Sequence, residues 1–495
     1  MTVPELFALS PILIVGVTVI VVMLSIASKR RHGWNAALAM AGLTLALLPL
    51  LLHFWLPGVI MLPLPRTVTS LLRIDDYAAF YMLLILIAAL ATAVLLQAYL
   101  AGYPGNRDEI YLLLLLSTVG GLVLVASRHF TAFILGLELL SVPMFGMAGY
   151  LVKDRRSLEA GIKYLVLSAV ASAFILFGMA LVYSQTGTLV FTEIGASAAS
   201  ADNAAGGVRD VTLLGGAMLL VGIGVKLSLA PFHLWTPDVY EGAPAPVTSY
   251  LATASKIAVF ALLLRYFVEA NAYRSGVLVG VLSALAFLSI VAGNILALRQ
   301  QNLKRILAYS AIAHMGYLLV ALIASGPLAI EAVGVYLLTY LIATLAAFGV
   351  ITVMSSPHAG HDAQNLFDYR GLFWKRPYLA AILTLALLSL AGIPLTAGFI
   401  GKLYVLGAAV DKRLWTLLGT VVFGSAVGLY YYLRAMLQLY LSPRWVSPFS
   451  APRDWARGAG GGVLTLLLLA MLALGFYPGP FLSLVQAAGL TLAAR

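Results

Sequence analysis

Apolar runs recur along the whole 495-residue chain, from residue 6 to residue 486, with only short polar connections between them. An α-helix of about 20 such residues is long enough to cross the hydrocarbon core of a bilayer. Fourteen segments of this kind are legible: 6–28, 35–56, 76–100, 110–127, 129–152, 158–184, 211–240, 248–269, 275–298, 304–325, 330–354, 377–410, 415–442 and 461–486. Charged residues make up 10% of the chain, against roughly 25% in soluble domains, so the chain cannot cover itself with an ordinary aqueous surface. The runs lack the period-2 alternation of outer-membrane barrel strands. The expected fold is therefore an all-α polytopic membrane protein. No basic stretch precedes the first run and no small-residue cleavage site follows it. Lys29, Arg30 and Arg31 come next, so it reads as a retained span rather than a signal peptide.

A net charge of +11 does not indicate nucleic-acid binding here, because the basic residues sit in short loops rather than in a tail or stripe. Their distribution is the positive-inside pattern. Sixteen basic residues lie in one set of loops, including Lys29 to Arg31, Lys153, Lys304, Arg305 and Lys375, and eight lie in the opposite set with the C-terminus. The richer set is expected on the cytoplasmic side, with both termini on the other. The chain has no cysteine, which excludes disulfides and thiolate-ligated iron–sulfur clusters.

Six basic residues fall inside the apolar runs: Lys163, Lys226, Lys256, Arg265, Lys402 and Arg434. A charge at the bilayer centre costs from about 3 to above 10 kcal/mol, so such residues are paired, hydrated or functional. Glu138, in FILGLELLSVPMFG, is the one carboxylate that the spacing places near mid-depth. Lys226 precedes Pro231 and Pro237 in KLSLAPFHLWTPDVYEG, and Lys402 follows Gly392 and Pro394 in SLAGIPLTAGFIGK. Proline removes a backbone donor and frees a carbonyl, and a broken helix at membrane depth is tolerated where it lines a cavity or is buried in protein. An amine beside such a break, with Glu138 as a partner, suits a proton carrier. Lys256 is about nine residues into its run, among small residues that allow close packing. His314 is about ten residues into its own run, and a histidine switches charge near neutral pH; taken alone it reads equally as a satisfied core residue. Two readings stay open for Lys163: snorkelling to the interface, or a second partner for Glu138. Arg265 and Arg434 lie nearer their span ends and read as structural.

The segments at 158–178 and 330–349 are weakly alike, and the interruptions SLAP and SLAGIP are five spans apart. An odd step places two halves in opposite orientations, as in inverted-repeat transporters. The loop HAGHD, with His358, His361 and Asp362, reads as solvated rather than metal-binding. No phosphate-cradling loop, dinucleotide fingerprint or nucleophile triad is present in the sequence.

KLSLAPFHLWTPDVYEGAPAPV with ATASK, NLKRILAYSAIAHMGY and SLAGIPLTAGFIGK together closely resemble the antiporter-like subunits of respiratory complex I, the proton-pumping NADH:quinone oxidoreductase, whose relatives include Mrp-type sodium/proton antiporters. Within that family LFDYRGLFWKRP, GSAVGLYYYLR and a lysine at 402 are most like the N-type branch. The resemblance implies fourteen helices in one transmembrane domain, with helices 7 and 12 discontinuous. Two inverted five-helix repeats would span about 110–270 and 275–442, flanked by helices 1–3 and 14. It implies proton-relay roles for the matching positions: Glu138 with Lys226 as an input ion pair, Lys256 and His314 along a central axis, Lys402 at the exit, and Lys163 as a modulator. It implies no cofactor in this chain, with NADH, FMN, iron–sulfur clusters and quinone in partner subunits. The expected partners are an M-type neighbour, small K- and J-type membrane subunits and the lipid bilayer, in a bacterial inner membrane.

The expected function is proton transfer from cytoplasm to periplasm as part of a redox-driven translocase. A stand-alone cation/proton antiporter and a non-conducting membrane scaffold are the alternatives. The first would need clustered oxygen ligands for sodium, and the second has no use for a file of buried lysines.

Overall fold

The computed structural model of the chain describes residues 2–55, 64, 66–101, 103, 105–201, 207–355, 362–442 and 458–493. His358 and His361 of the HAGHD loop, and Arg444, Arg453, Arg457 and Arg495 of the charge count, lie outside the described residues.

Eleven described helices are long and apolar enough to cross a membrane, or up to 12 if a bent C-terminal pair is one span. The helices at Ala245–Glu269, Leu303–Ala324 and Pro327–Met354 are almost wholly enclosed by others. Those at Ser10–Ser28, His32–Trp55 and Gly276–Leu298 keep most of their surface outward, and the large apolar side chains they expose are Val, Leu, Ile, Phe, Met and Trp, as lipid contact requires. Helices cannot gain from hydrophobic burial against equally apolar lipid, so close approach through small residues matters more. A Cβ added to Gly161 would stand 3.1 Å from the Gly149 Cα, so those two backbones are in contact.

Four of the expected spans are broken. At 211–240 a helix ends at Leu227 and a shorter one runs Trp235–Gly242. At 377–410 the chain forms Pro377–Ala391 and Ala397–Asp411. The third break was not expected: 461–486 is two helices, Gly460–Phe476 and Gly479–Leu492, set at 85°. The reason lies in Tyr477-Pro478-Gly479-Pro480. The residue before a proline is pushed out of helical geometry, and Tyr477 sits at φ −138°, ψ 70°. The first span is also divided, into Val3–Ala8 and Ser10–Ser28. Beside the helices, the described residues include one short antiparallel pair of three-residue strands, β1 (Arg66–Val68) and β2 (Leu72–Ile74), in register Arg66↔Ile74.

Arg265 is structural, as its depth suggested, and it anchors the bundle. It is fully buried and bonds both oxygens of Asp75 at 2.9 and 2.6 Å. Glu269 lies 3.4 Å from it, and its guanidinium lies 4.7 Å over the Tyr77 ring. Asp75 also caps its own helix through Ala78 N. Arg434 closes a helix end through the carbonyls of Leu298 and Gln300. Two residues assigned to loops are locks instead. Lys304 is fully buried, pairs with Asp362 at 2.8 Å and donates to the Ala243 carbonyl. Arg305 bonds Asp238 at 2.9 Å and Glu241 at 2.8 Å. Both head the Leu303–Ala324 helix, where a hydrophobicity window sees only a polar start.

Candidate functional site

The first break supplies carbonyls that need donors. The helix ends with Ser228 at φ 63°, and the chain then runs through Pro231, which follows a cis peptide bond. In the membrane every backbone group must find a protein or water partner. The Gly224 carbonyl takes Leu229 N, and the Val225 carbonyl takes the Trp235 indole at 2.9 Å. The Leu227 carbonyl takes the ammonium of Lys256 at 3.0 Å, and Lys256 also reaches Ser228 Oγ at 2.8 Å. Lys256 follows a π-helical turn, Leu251–Ser255, a distortion frequent at functional sites. A cation at the C-terminal end of a half-helix faces its negative dipole end.

Lys226 occupies the last turn of the same half-helix. Its ammonium donates to Ser141 Oγ at 3.0 Å and to Ser168 Oγ. Glu138 accepts from Ser172, and the Ser168 carbonyl is a second acceptor for that hydroxyl at 3.1 Å. The expected direct contact of Glu138 with Lys226 is thus replaced by a serine bridge. Its cause is helix geometry: Ser168 and Ser172 are one turn apart on one face, and Ser141 is one turn beyond Glu138. That i, i+3, i+4 spacing is visible in the sequence, but a serine carries no charge to single it out.

Lys163 does not reach Glu138. It bonds Glu159 at 2.6 Å and Asp238 at 2.7 Å. Its side chain lines an open polar cleft of about 180 Å³ with Arg156, Glu159, Asp238 and Glu241. Beneath it the Tyr164 ring stacks on Trp235 at 4.8 Å.

The second break repeats the logic of the first. Gly392 ends Pro377–Ala391 at φ 79°, and its N–H closes onto the Leu388 and Ser389 carbonyls. Ser389 Oγ caps Gly398 N at 3.0 Å. The Ala391 carbonyl takes the ammonium of Lys402 at 2.6 Å, which also lies 5.4 Å over the Tyr317 ring. His314 is held at both nitrogens, by Tyr336 OH at 2.6 Å and Tyr432 OH at 3.2 Å. A cavity of about 10 Å³ joins His314 to Lys402, with Tyr336, Thr339, Tyr340 and Ser389 on its walls; that is room for about one water.

A Cβ on Gly392 would stand 3.0 Å from Lys402 Cε and 3.1 Å from its Nζ. Gly392→Ala therefore combines a left-handed backbone, strained by about 1–3 kcal/mol for other residues, with displacement of the ammonium from Ala391. The expected result is a complex that assembles in lower amount, by native-gel quantification, and pumps less per assembled unit.

The structure thus brings Glu138, Lys226 and Lys256 to the first break, and His314 and Lys402 to the second. It sets Lys163 apart at the cleft. The freed carbonyls were expected from the prolines, but the serines and tyrosines were missed, since neutral hydroxyls in an apolar run carry no charge signal.

Three comparisons bear on this arrangement. A family model described as NADH:quinone oxidoreductase/Mrp antiporter, TM, matches residues 127–428. The chain is 54% identical over 499 residues to an NADH-quinone oxidoreductase subunit N of Ectopseudomonas mendocina (strain ymp), covering 100% of this chain and 98% of that one. A chain of respiratory complex I from Thermus thermophilus, solved with bound aureothin, is similar at TM-score 0.79 and 35% identity, over 96% of this chain and 98% of that one. A chain of the Mrp complex from Dietzia sp. DQ12-45-1b shares the fold at TM-score 0.83 with 20% identity, over 100% and 98%. The two broken helices, the lysines at their ends and the full-length similarity agree: the chain belongs to the NADH:quinone oxidoreductase/Mrp antiporter transmembrane family.

Proposed function

We propose that the chain is the proton-conducting, N-type antiporter-like membrane subunit of an NADH:quinone oxidoreductase. Protons pass from the cytoplasm through Glu138, Lys226, Lys256, His314 and Lys402 to the periplasm, with Lys163 modulating entry at its cleft. One observation carries this reading: the lysines buried at the two helix breaks are held by neutral acceptors. Lys226 bonds serines, Lys256 a carbonyl and a serine, and Lys402 a carbonyl. Lys304, by contrast, is paired with the buried carboxylate of Asp362 at 2.8 Å. An amine on neutral partners in a low-dielectric site releases its proton more readily than one clamped by carboxylates. The unpaired ones are therefore carriers and the clamped one is an anchor.

Moving each charge against the membrane potential takes about 2.3 kcal/mol per 100 mV, and redox chemistry in partner subunits supplies it. NADH, FMN, iron–sulfur clusters and quinone belong to those partners. The neighbours are an M-type antiporter-like subunit and the small K- and J-type membrane subunits. Each broken pair at 211–240 and 377–410 crosses once, which gives fourteen crossings and two inverted repeats, at about 110–270 and 275–442. The matched lysine-on-carbonyl geometry at both breaks supports that relation. The chain sits in the bacterial inner membrane with both termini periplasmic, as its loop charges favour.

The test is Glu138→Gln in the assembled complex. The amide still accepts from Ser172 but cannot take up a proton. Proton uptake coupled to NADH oxidation is expected to fall roughly tenfold or more, within the usual range for a lost acid–base group, with assembly unchanged. Wild-type pumping would count against the reading.

A further inference from the structure

The hydrogen bonds described so far stop short of joining the two halves of the file. Those of Lys256 turn back to the first break, at Leu227 and Ser228. Those of His314 go to Tyr336 and Tyr432. Three tyrosines stand between them, each from a different element. Tyr164 comes from Arg155–Thr186, Tyr240 from the half-helix Trp235–Gly242, and Tyr340 from Pro327–Met354. All three are buried.

Their order is set by their neighbours. Tyr164 lies beside Ser255, the residue before Lys256, and within electrostatic reach of Glu138. Tyr240 is within electrostatic reach of both Tyr164 and Tyr340, and its ring is 6.0 Å from Phe348 on the same helix as Tyr340. Tyr340 has its ring 5.3 Å from that of His314 and lines the cavity shared with Lys402. The row therefore runs from the first break to the second.

Tyr240 and Tyr340 make no hydrogen bond of ordinary geometry through their hydroxyls, although Tyr340 has the Thr344 hydroxyl one turn away. The Ser249 hydroxyl makes none either. A buried hydroxyl without a protein partner is penalised by lost solvation, and phenylalanine would fill the same space without that penalty. Hydroxyls that bear this penalty in a line between two proton-binding residues call for a function, and a phenol has one to offer. It accepts a proton on oxygen from one side while giving up its own hydrogen to the other, so a proton passes with no net change in the residue.

We infer that Tyr240 and Tyr340 are relay residues, forming with Tyr164 and intervening water the proton link between Lys256 and His314. This rests on the conduction reading proposed above. In each step a proton arrives at the phenol oxygen, the hydroxyl hydrogen leaves to the next water or to the His314 imidazole, and the hydroxyl rotates back. No bond other than O–H or N–H is made or broken.

The experiment uses the whole complex in proteoliposomes with Tyr240→Phe, Tyr340→Phe and the double variant, and with Lys402→Ala as control. Each phenylalanine removes one oxygen that makes no hydrogen bond of ordinary geometry, so assembly and Tm are expected to match wild type or better. Coupled proton uptake is expected to fall roughly tenfold in Tyr240→Phe. The solvent deuterium isotope effect on coupled turnover should rise, a change that a packing defect does not produce. Wild-type uptake in the double variant would overturn the inference. If Lys402→Ala fails while both tyrosine variants pump normally, only the phenol row falls. If Lys402→Ala also pumps normally, the conduction reading falls with it.

Discussion

Lys402→Ala will reduce proton translocation by the assembled complex roughly tenfold or more, the range expected for removal of an essential proton donor. The ammonium caps the Ala391 carbonyl at 2.6 Å, stands over Tyr317 and faces the one-water cavity shared with His314. Without it the half-helix end loses its donor, and the proposed path loses its last buried proton stop. Lys402→Arg separates these two losses. A guanidinium restores charge and hydrogen bonding but does not give up its proton in proteins. Arginine is therefore expected to restore assembly and leave translocation low. Acidification and NADH oxidation recorded together on proteoliposomes decide this, and full recovery with arginine would make Lys402 a structural cap only.

Arg265→Ala is expected to give the largest loss of stability. It would take the guanidinium away from Asp75 and Glu269, both buried, leaving Asp75 to Arg73 at 3.2 Å, and remove the bidentate bond to Asp75 and the contact over Tyr77. Breaking a buried pair by deleting one partner typically destabilises by about 3–5 kcal/mol. The Tm of the purified complex and its abundance on native gels should both drop. The comparison with Lys402→Ala is informative, because that change takes no cation from a carboxylate. Its Tm shift should be the smaller of the two although its effect on translocation is the greater. Equal Tm shifts would remove the distinction between anchoring and carrying charges.

Most of the fold was legible because lipid imposes a simple rule. A long apolar run becomes a helix, and proline or glycine inside it makes a break. Pro231 and Pro394 were read in that way. Tyr477-Pro478-Gly479-Pro480 follows the same chemistry, yet it was passed over inside an otherwise continuous run. The buried lysines were legible because charge is rare in such runs. Their partners were not, because a serine or tyrosine in a transmembrane helix is as often packing as function. Glu138 and Lys226 show the limit clearly. Opposite charges at similar depth suggested contact, but the rotational setting of three helices put Ser168 and Ser172 between them. Lys163 shows another limit. Asp238 on the displaced half-helix takes it away from Glu138, and the sequence carries no signal for that displacement. Lys304 looked like a loop cation for want of any sequence link to Asp362, 58 residues on.

The central claim is that protons cross the membrane through this chain's own buried lysines. The measurement that tests it most directly is the number of protons translocated per NADH oxidised, by the purified complex in sealed proteoliposomes, for wild type and Lys402→Ala side by side. The account predicts a lower ratio, or turnover so slowed that no gradient builds, with assembly intact. An unchanged ratio at an unchanged rate would contradict it.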